Sequence, residues 1–177
     1  MNDYCVDLNV KLTPLIKDVN TYKTIWHQRI PLGDLHPELV QFLMQHGVKI
    51  GLAELFYTSP GGVIPIHIDN AGGNYTKLNF IWGGDQSCMC WYSANPGVVK
   101  TAAASTIGTR YVGFNHSEVT EVHRQSVKFP SIVQVGVPHN IINPLTPRWC
   151  LSIVLMQESG KRITMAKTVE LFKDVIG

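Results

Sequence analysis

At 177 residues the chain is expected to form one domain, 1–177, long enough to bury a substantial core. It is 45% hydrophobic and 16% charged, with a net charge of +2 and no basic run, which argues against nucleic acid as a main partner. No apolar run reaches the ~18 residues that a membrane-spanning helix needs. The start, Met1-Asn2-Asp3-Tyr4, has neither the basic nor the apolar region of a secretory signal. A cytoplasmic protein with no membrane partner is therefore expected.

In chain order, Leu8 to Leu12 alternates and predicts an edge strand. Thr24 to Ile30 predicts a second short strand, ended by Pro31. His36-Pro37-Glu38 opens a helix: Pro37 suits the first turn, and Asp34 is near enough to cap it. Leu39, Phe42, Leu43 and His46 keep helical spacing up to the stop at Gly47.

From Val48 the period changes to that of strands. Ile50 to Tyr57 is the first, closed by Ser59-Pro60-Gly61-Gly62. Val63 to Asp69 follows, then a turn at Ala71-Gly72-Gly73-Asn74. Thr76 to Trp82 sets Lys77, Asn79 and Ile81 on one face and Leu78, Phe80 and Trp82 on the other. Cys88 to Tyr92 is next, with Trp91 and Tyr92 on opposite faces, one in the core and the other free to line a pocket. Residues 98–108 read as loop. Arg110 to Phe114, Val119 to His123, Ile132 to Val137, Asn140 to Ile142 and Trp149 to Met156 complete the strands, and Thr164 caps a last helix. Eight or more short strands with turn signals between them predict a mainly β jelly roll, its β core at about 50–156, with a few flanking helices.

The four cysteines, Cys5, Cys88, Cys90 and Cys150, include only one close pair, which is too few for a structural zinc site. They are read as reduced, buried thiols. The chemistry concentrates elsewhere. In Val63-Ile64-Pro65-Ile66-His67-Ile68-Asp69, His67 and Asp69 are two apart on a strand, so both project from one face. Pro65 predicts an edge or barrel-mouth position. One imidazole and one carboxylate are two of the three ligands of a 2-His-1-carboxylate iron site. The candidate for the third is His139, in Pro138-His139-Asn140, with Arg148 nine residues beyond.

These pieces resemble the 2-oxoglutarate/Fe(II)-dependent oxygenases, which have a double-stranded β-helix (cupin-like jelly roll) core. The resemblance covers roughly residues 50–156. It rests on His67-Ile68-Asp69, Lys77-Leu78-Asn79-Phe80, Cys90-Trp91-Tyr92, Pro138-His139-Asn140 and Arg148-Trp149-Cys150-Leu151-Ser152. The pieces at Leu78-Asn79-Phe80 and Trp91-Tyr92 look like a subgroup often met in phage and marine bacterial genomes, similar also to aspartyl/asparaginyl and prolyl hydroxylase-like domains. The resemblance implies that His67, Asp69 and His139 bind Fe(II) and that Arg148 binds the distal carboxylate of 2-oxoglutarate. The implied activity is a dioxygenase that hydroxylates its substrate.

Residue chemistry agrees with that reading. Two neutral imidazoles and a carboxylate suit ferrous iron and leave coordination positions open. The planar fork of Arg148 matches a carboxylate, and an unpaired Arg facing a core needs a partner. Asn79 is a second candidate contact to the cosubstrate or substrate. Lys77 is another, or else a residue that snorkels to solvent. Asn140 is placed to hold His139 from behind. His27, His36, His46, His116 and His123 have no partner at ligand spacing and are read as structural or surface residues.

Two other classes stay open: a cupin-like metal enzyme without 2-oxoglutarate, and a non-enzymatic β-sandwich binding module. Cupins usually place more histidines around the metal, and the His-x-Asp order with the late Arg148 counts against them. Residues 93–130 are expected to supply much of the loop over the site, but they carry no recognition code. A free amino acid, a peptide side chain and a small metabolite are all open as substrate, and the sequence does not determine the oligomeric state.

Overall fold

A computed structural model describes residues 3–13, 15–18, 22, 24–69, 73–105, 108–128, 130–143 and 145–177. Strand alternation organises it. The strands are β1 (Cys5–Asp7), β2 (His27–Ile30), β3 (Lys49–Thr58), β4 (Gly62–Asp69), β5 (Thr76–Gly83) and β6 (Cys88–Ala94), then β7 (Ala103–Ala104), β8 (Arg110–Gly113), β9 (Val119–Gln125), β10 (Ser131–Gln134), β11 (His139–Asn143) and β12 (Arg148–Met156). Helix α1 (Pro37–Gln45) precedes β3 and α2 (Met165–Leu171) follows β12.

Two six-stranded antiparallel sheets result, ordered β1-β10-β5-β12-β3-β2 and β7-β8-β4-β11-β6-β9. Eight strands make the core. In chain order β3, β5, β10 and β12 enter the first sheet, while β4, β6, β9 and β11 enter the second. This crossing back and forth is the jelly roll, or double-stranded β-helix. The fold expectation holds. No helix among the described residues is long and apolar enough to cross a membrane.

The largest apolar cluster lies on the outer face of the first sheet. Ala53 and Leu55 of β3, Leu78 and Phe80 of β5 and Leu151, Ile153 and Leu155 of β12 pack with Leu39 and Leu43 of α1 and with Met165 and Val169 of α2. Between the sheets, Met89, Trp91, Val133, Val135 and Ile141 fill one half of the space, and the Trp91 indole donates to the Gln134 carbonyl at 2.8 Å. The other half is a cavity of about 950 Å³.

Several local expectations need correction. The first strand is Cys5–Asp7, not Leu8 to Leu12. Cys5–Asp7 takes the free edge of β10, and Leu8 makes only a single bridge, to Ile176. Asp34 does not cap α1. The His36 Nδ1 accepts from the Glu38 N–H at 3.4 Å, while Asp34 accepts from the Tyr22 hydroxyl at 2.6 Å. The stretch 98–108 is not all loop, because Ala103–Ala104 pairs with β8. β4 is an inner strand, but its ladder with β8 covers only His67 to Asp69, so Pro65 lies beyond the end of that ladder. Residues 71 and 72 of the predicted turn lie outside the described residues.

Candidate metal centre and its cavity

Pro65 explains how β4 aims its ligands. The β4–β11 register runs from His67↔His139 to Ile64↔Ile141, so β4 carries one extra residue there, a bulge. A bulge tolerates proline because the ladder needs no N–H at that point. It also breaks strict alternation. Ile64 packs between the sheets, Ile66 packs on the outer face of the second sheet, and His67 turns into the cavity.

His67, Asp69 and His139 converge. One ligand atom from each lies within 4.8 Å of the others, about the span that ligands at ~2.1 Å from a shared ion reach. The two imidazole rings are 4.5 Å apart between centroids. Each His Nδ1 lies beside a carbonyl two residues back: His67 to Pro65 at 2.8 Å and His139 to Val137 at 2.9 Å. A carbonyl only accepts, so Nδ1 carries the proton and Nε2 keeps a lone pair for a metal. Burial, then the neighbouring His67, pushes His139 down to about 3, so it is a neutral imidazole at physiological pH. The His67 Nε2 and Asp69 Oδ1 are 3.4 Å apart. Two lone-pair atoms in that position repel unless a cation lies between them, so the donor set fits a divalent metal.

Lys77 does not snorkel. It is 6% exposed, and its Nζ lies 2.8 Å from Asp69 Oδ2 and 2.8 Å from Glu54 Oε2. Burial alone would lower the Lys77 ammonium, but Asp69 and then Glu54 raise it above its ordinary value. Burial would raise the Asp69 carboxyl, and Lys77 followed by His67 holds it well below the ordinary range. The same opposition of burial and Lys77, with His27 adding to Lys77, keeps the Glu54 carboxyl lowered. All three groups are charged at neutral pH. The ammonium is already paired with two carboxylates, so Lys77 fits the role of holding Asp69 better than that of binding a cosubstrate.

Arg148 opens β12 and is 2% exposed on the cavity wall. Its Nε is buried without a hydrogen-bond partner, and no carboxylate pairs with it among the described residues. The turn that follows β5 is shaped to leave room for it. Gly84 sits at φ +69°, and a Cβ there would fall 2.7–2.9 Å from the Arg148 side chain. Asn79 also lines the cavity, and its Oδ1 accepts from the Ser152 hydroxyl at 2.7 Å.

Other expectations fail. Asn140 does not support His139 from behind. It sits on the opposite face, where its Oδ1 accepts from the Tyr92 hydroxyl at 3.2 Å. Trp91 is interior core and Tyr92 packs in the outer cluster, so neither lines the cavity. Among the described residues, the stretch 93–130 contributes Ala104, Ser105, Gly108–Tyr111 and Gly113 to the wall.

No protein-family model matches the chain, and no curated protein matches it. Among solved structures, it is similar to an oxalate oxidase in complex with the substrate analogue glycolate, at 12% identity and a TM-score of 0.39, covering 93% of this chain and 78% of that one. It is also similar to an oxalate oxidase determined for structural and spectroscopic study of its mechanism, at 12% identity and a TM-score of 0.33, covering 98% and 89%. At this level of likeness, what the site does has to be argued from its own residues.

Two cavity residues escape the sequence reading. Glu54 is 1% exposed in the middle of β3, and His27 of β2 is 6% exposed and bonded to it at 2.9 Å. One signal was available for Glu54: a carboxylate alternating with Ala53 and Leu55 must face a buried cation or water. None was available for His27, whose partner lies 27 residues away through the β2–β3 pairing.

Proposed function

We propose that the protein is a 2-oxoglutarate-dependent, non-haem iron oxygenase, with His67, Asp69 and His139 holding Fe(II) and Arg148 holding the far carboxylate of 2-oxoglutarate. The observation that carries this reading is the charge balance of the cavity. Of the buried charges that line it, Asp69 and Glu54 are ionised and Lys77 and Arg148 offset them, while Arg110 and Arg162 line its less buried parts. A divalent metal would add two positive charges to that balanced, buried set. A dicarboxylate is the ligand class that cancels them, and the Arg148 guanidinium, the more deeply buried of the two lining arginines with an unpartnered nitrogen, is suited to receive its distal end.

In this reading each residue has a task set by its surroundings. The Pro65 and Val137 carbonyls fix the His67 and His139 rings with Nε2 toward the metal. Lys77 holds Asp69 Oδ2 and leaves Oδ1 to coordinate. Gly84 leaves the space in which the Arg148 stem lies. The bound iron and cosubstrate supply an oxidant able to hydroxylate an unactivated C–H bond, with succinate and CO₂ as coproducts. The substrate would be a small molecule or a peptide side chain presented at the open side of the cavity.

Anaerobic calorimetric titration tests this. Wild type should bind Fe(II) and then 2-oxoglutarate. Asp69→Ala should lose most of its Fe(II) affinity. Arg148→Ala should keep Fe(II) binding and weaken 2-oxoglutarate by roughly ten- to a hundredfold, since charge-assisted hydrogen bonds contribute ~1.5–3 kcal/mol. Equal 2-oxoglutarate affinity in wild type and Arg148→Ala would overturn the cosubstrate assignment and favour a metal enzyme that does not use it.

A further inference from the structure

The cavity wall opposite the metal carries a group that the metal and cosubstrate do not use. His27 is buried, its Nε2 lies 2.9 Å from Glu54 Oε1, and its Nδ1 is buried with no hydrogen-bond partner. Glu54 gives its other oxygen to Lys77 at 2.8 Å, and that ion pair keeps it a carboxylate. A carboxylate only accepts, so His27 Nε2 carries a proton, and in the neutral imidazole Nδ1 is then an acceptor. Left unpaired, a buried acceptor carries a desolvation penalty that a ligand donor removes.

The surroundings of Nδ1 describe the rest of that ligand. The His27 ring stacks on Phe56, with centroids 4.4 Å apart and planes at 10°, and it meets the Trp26 ring at 5.1 Å. Trp26 is 54% exposed, and with His27, Phe56 and Tyr57 it lines the same cavity as the metal ligands. An exposed indole beside a buried acceptor makes an aromatic lip with one polar point inside it. β2, which begins at His27 directly after Trp26, is the last strand of its sheet, so the lip lies at an edge of the sandwich.

We infer that His27 Nδ1 is a substrate-recognition acceptor, and that the substrate is a planar or ring-bearing molecule presenting an N–H or O–H group to it beside the Trp26 indole. The Glu54 carboxylate fixes the tautomer, and Lys77 connects that carboxylate to Asp69, so one chain of contacts joins the recognition point to the metal ligands. This inference rests on the proposed function for the metal end of the cavity, and its test separates the two.

The probes are indole and benzofuran, near-isosteres of which only indole has an N–H. Their dissociation constants are measured by ligand-observed NMR on the full chain, with and without Zn(II) as a diamagnetic stand-in for ferrous iron. Wild type should bind indole about tenfold more tightly than benzofuran, the scale of one satisfied buried hydrogen bond. His27→Phe keeps a ring on Phe56 but removes the acceptor, and should bring the two probes within about twofold. Nitrogen-15 spectra of histidine-labelled wild type should show His27 protonated on Nε2, with Nδ1 shifting on addition of indole. This readout does not depend on whether His27→Phe folds.

Equal affinities in wild type, an unchanged ratio in His27→Phe, no indole binding, or a proton on Nδ1 would each overturn the inference. 2-Oxoglutarate is titrated into the same preparations. If it binds while the probes are not discriminated, only the recognition point falls. If the probes are discriminated and 2-oxoglutarate does not bind, the recognition point stands and the oxygenase reading falls.

Discussion

The first sheet presents two faces built from the same strands. Its outer face carries Ala53, Leu55, Leu78, Leu151, Ile153 and Leu155, all fully buried against the helices. Its inner face carries Glu54, Lys77, Asn79, Arg148 and Ser152, all nearly as buried. The outer face is held by apolar burial, at ~25 cal/mol per Å² removed from water. The inner face must satisfy each polar group individually, and it does so for all but a few atoms, Arg148 Nε and His27 Nδ1 among them. One face thus supplies stability that depends little on pH or partners, while the other holds charge in place for a ligand. Alternation lets one strand do both, because neighbours such as Ser152 and Ile153 belong to different environments.

The strongest way to break this comparison is at adjacent residues of β5. Lys77→Met removes the cation between Glu54 and Asp69 and leaves two buried carboxylates facing each other. It should cost about 3–5 kcal/mol, as expected for one partner lost from a buried ion pair. Leu78→Ala should cost a comparable amount, ~2–5 kcal/mol, through a cavity on the outer face. The two losses differ in how they can be repaired. Adding Glu54→Gln to Lys77→Met should recover part of the stability, whereas adding it to Leu78→Ala should not. Denaturant unfolding of the single and double variants measures both cycles. Additive behaviour in both would mean that Lys77 is not the charge centre of the inner face.

The same contrast explains what could be read from the sequence. The run of strands from β3 onward and their apolar faces follow from alternation, and His67 and Asp69 are two apart, so one local rule puts them side by side. His139 and Arg148 were reachable because each opens a strand in the stretch that the resemblance covers. The chain from Lys77 through Glu54 to His27 was not legible. It depends on which strands become neighbours, namely β2 beside β3, and on a side chain long enough to cross from β5 to β4. Asn140 failed for a simpler reason. It follows His139 on a strand, so its side chain points to the other face and reaches Tyr92 instead.

Acid should weaken the polar groups that both sheets turn toward the cavity and spare the outer face. His139 has a folded value of about 3 against 6.5 as its ordinary value, so below 6.5 the unfolded chain gains a proton that the folded chain does not. Its contribution is complete above 6.5 and is lost as pH falls toward 3. Glu54 and Asp69, both lowered, add losses of the same sign further into acid. Metal-free protein should therefore lose stability at up to ~1.4 kcal/mol per pH unit for each proton taken up on unfolding. Lys77 is raised, so its contribution is complete below 10.5 and is lost progressively as pH rises from there through the folded value. Thermal unfolding between pH 7 and 4 checks the acid limb. In His139→Gln that limb should be flatter between pH 6.5 and 5, and an unchanged slope would refute the buried neutral imidazole.

The smallest effect sharpens the comparison most finely, because it concerns a single hydrogen bond. Ser152 Oγ donates to Asn79 Oδ1 at 2.7 Å, and both residues face the cavity. Ser152→Ala removes the donor but leaves the strand, its neighbours and the outer-face Ile153 unchanged. The loss in global stability should be ~1 kcal/mol, that of one neutral side-chain hydrogen bond. Fe(II) binding should not change, because neither residue touches His67, Asp69 or His139. The Asn79 amide, however, is released from its only side-chain partner shown on that wall, so its NH₂ resonances should move and broaden. An amide spectrum identical to wild type would mean that Asn79 is fixed by the backbone around it rather than by Ser152. The inner face would then be organised by strand geometry more than by its polar pairs.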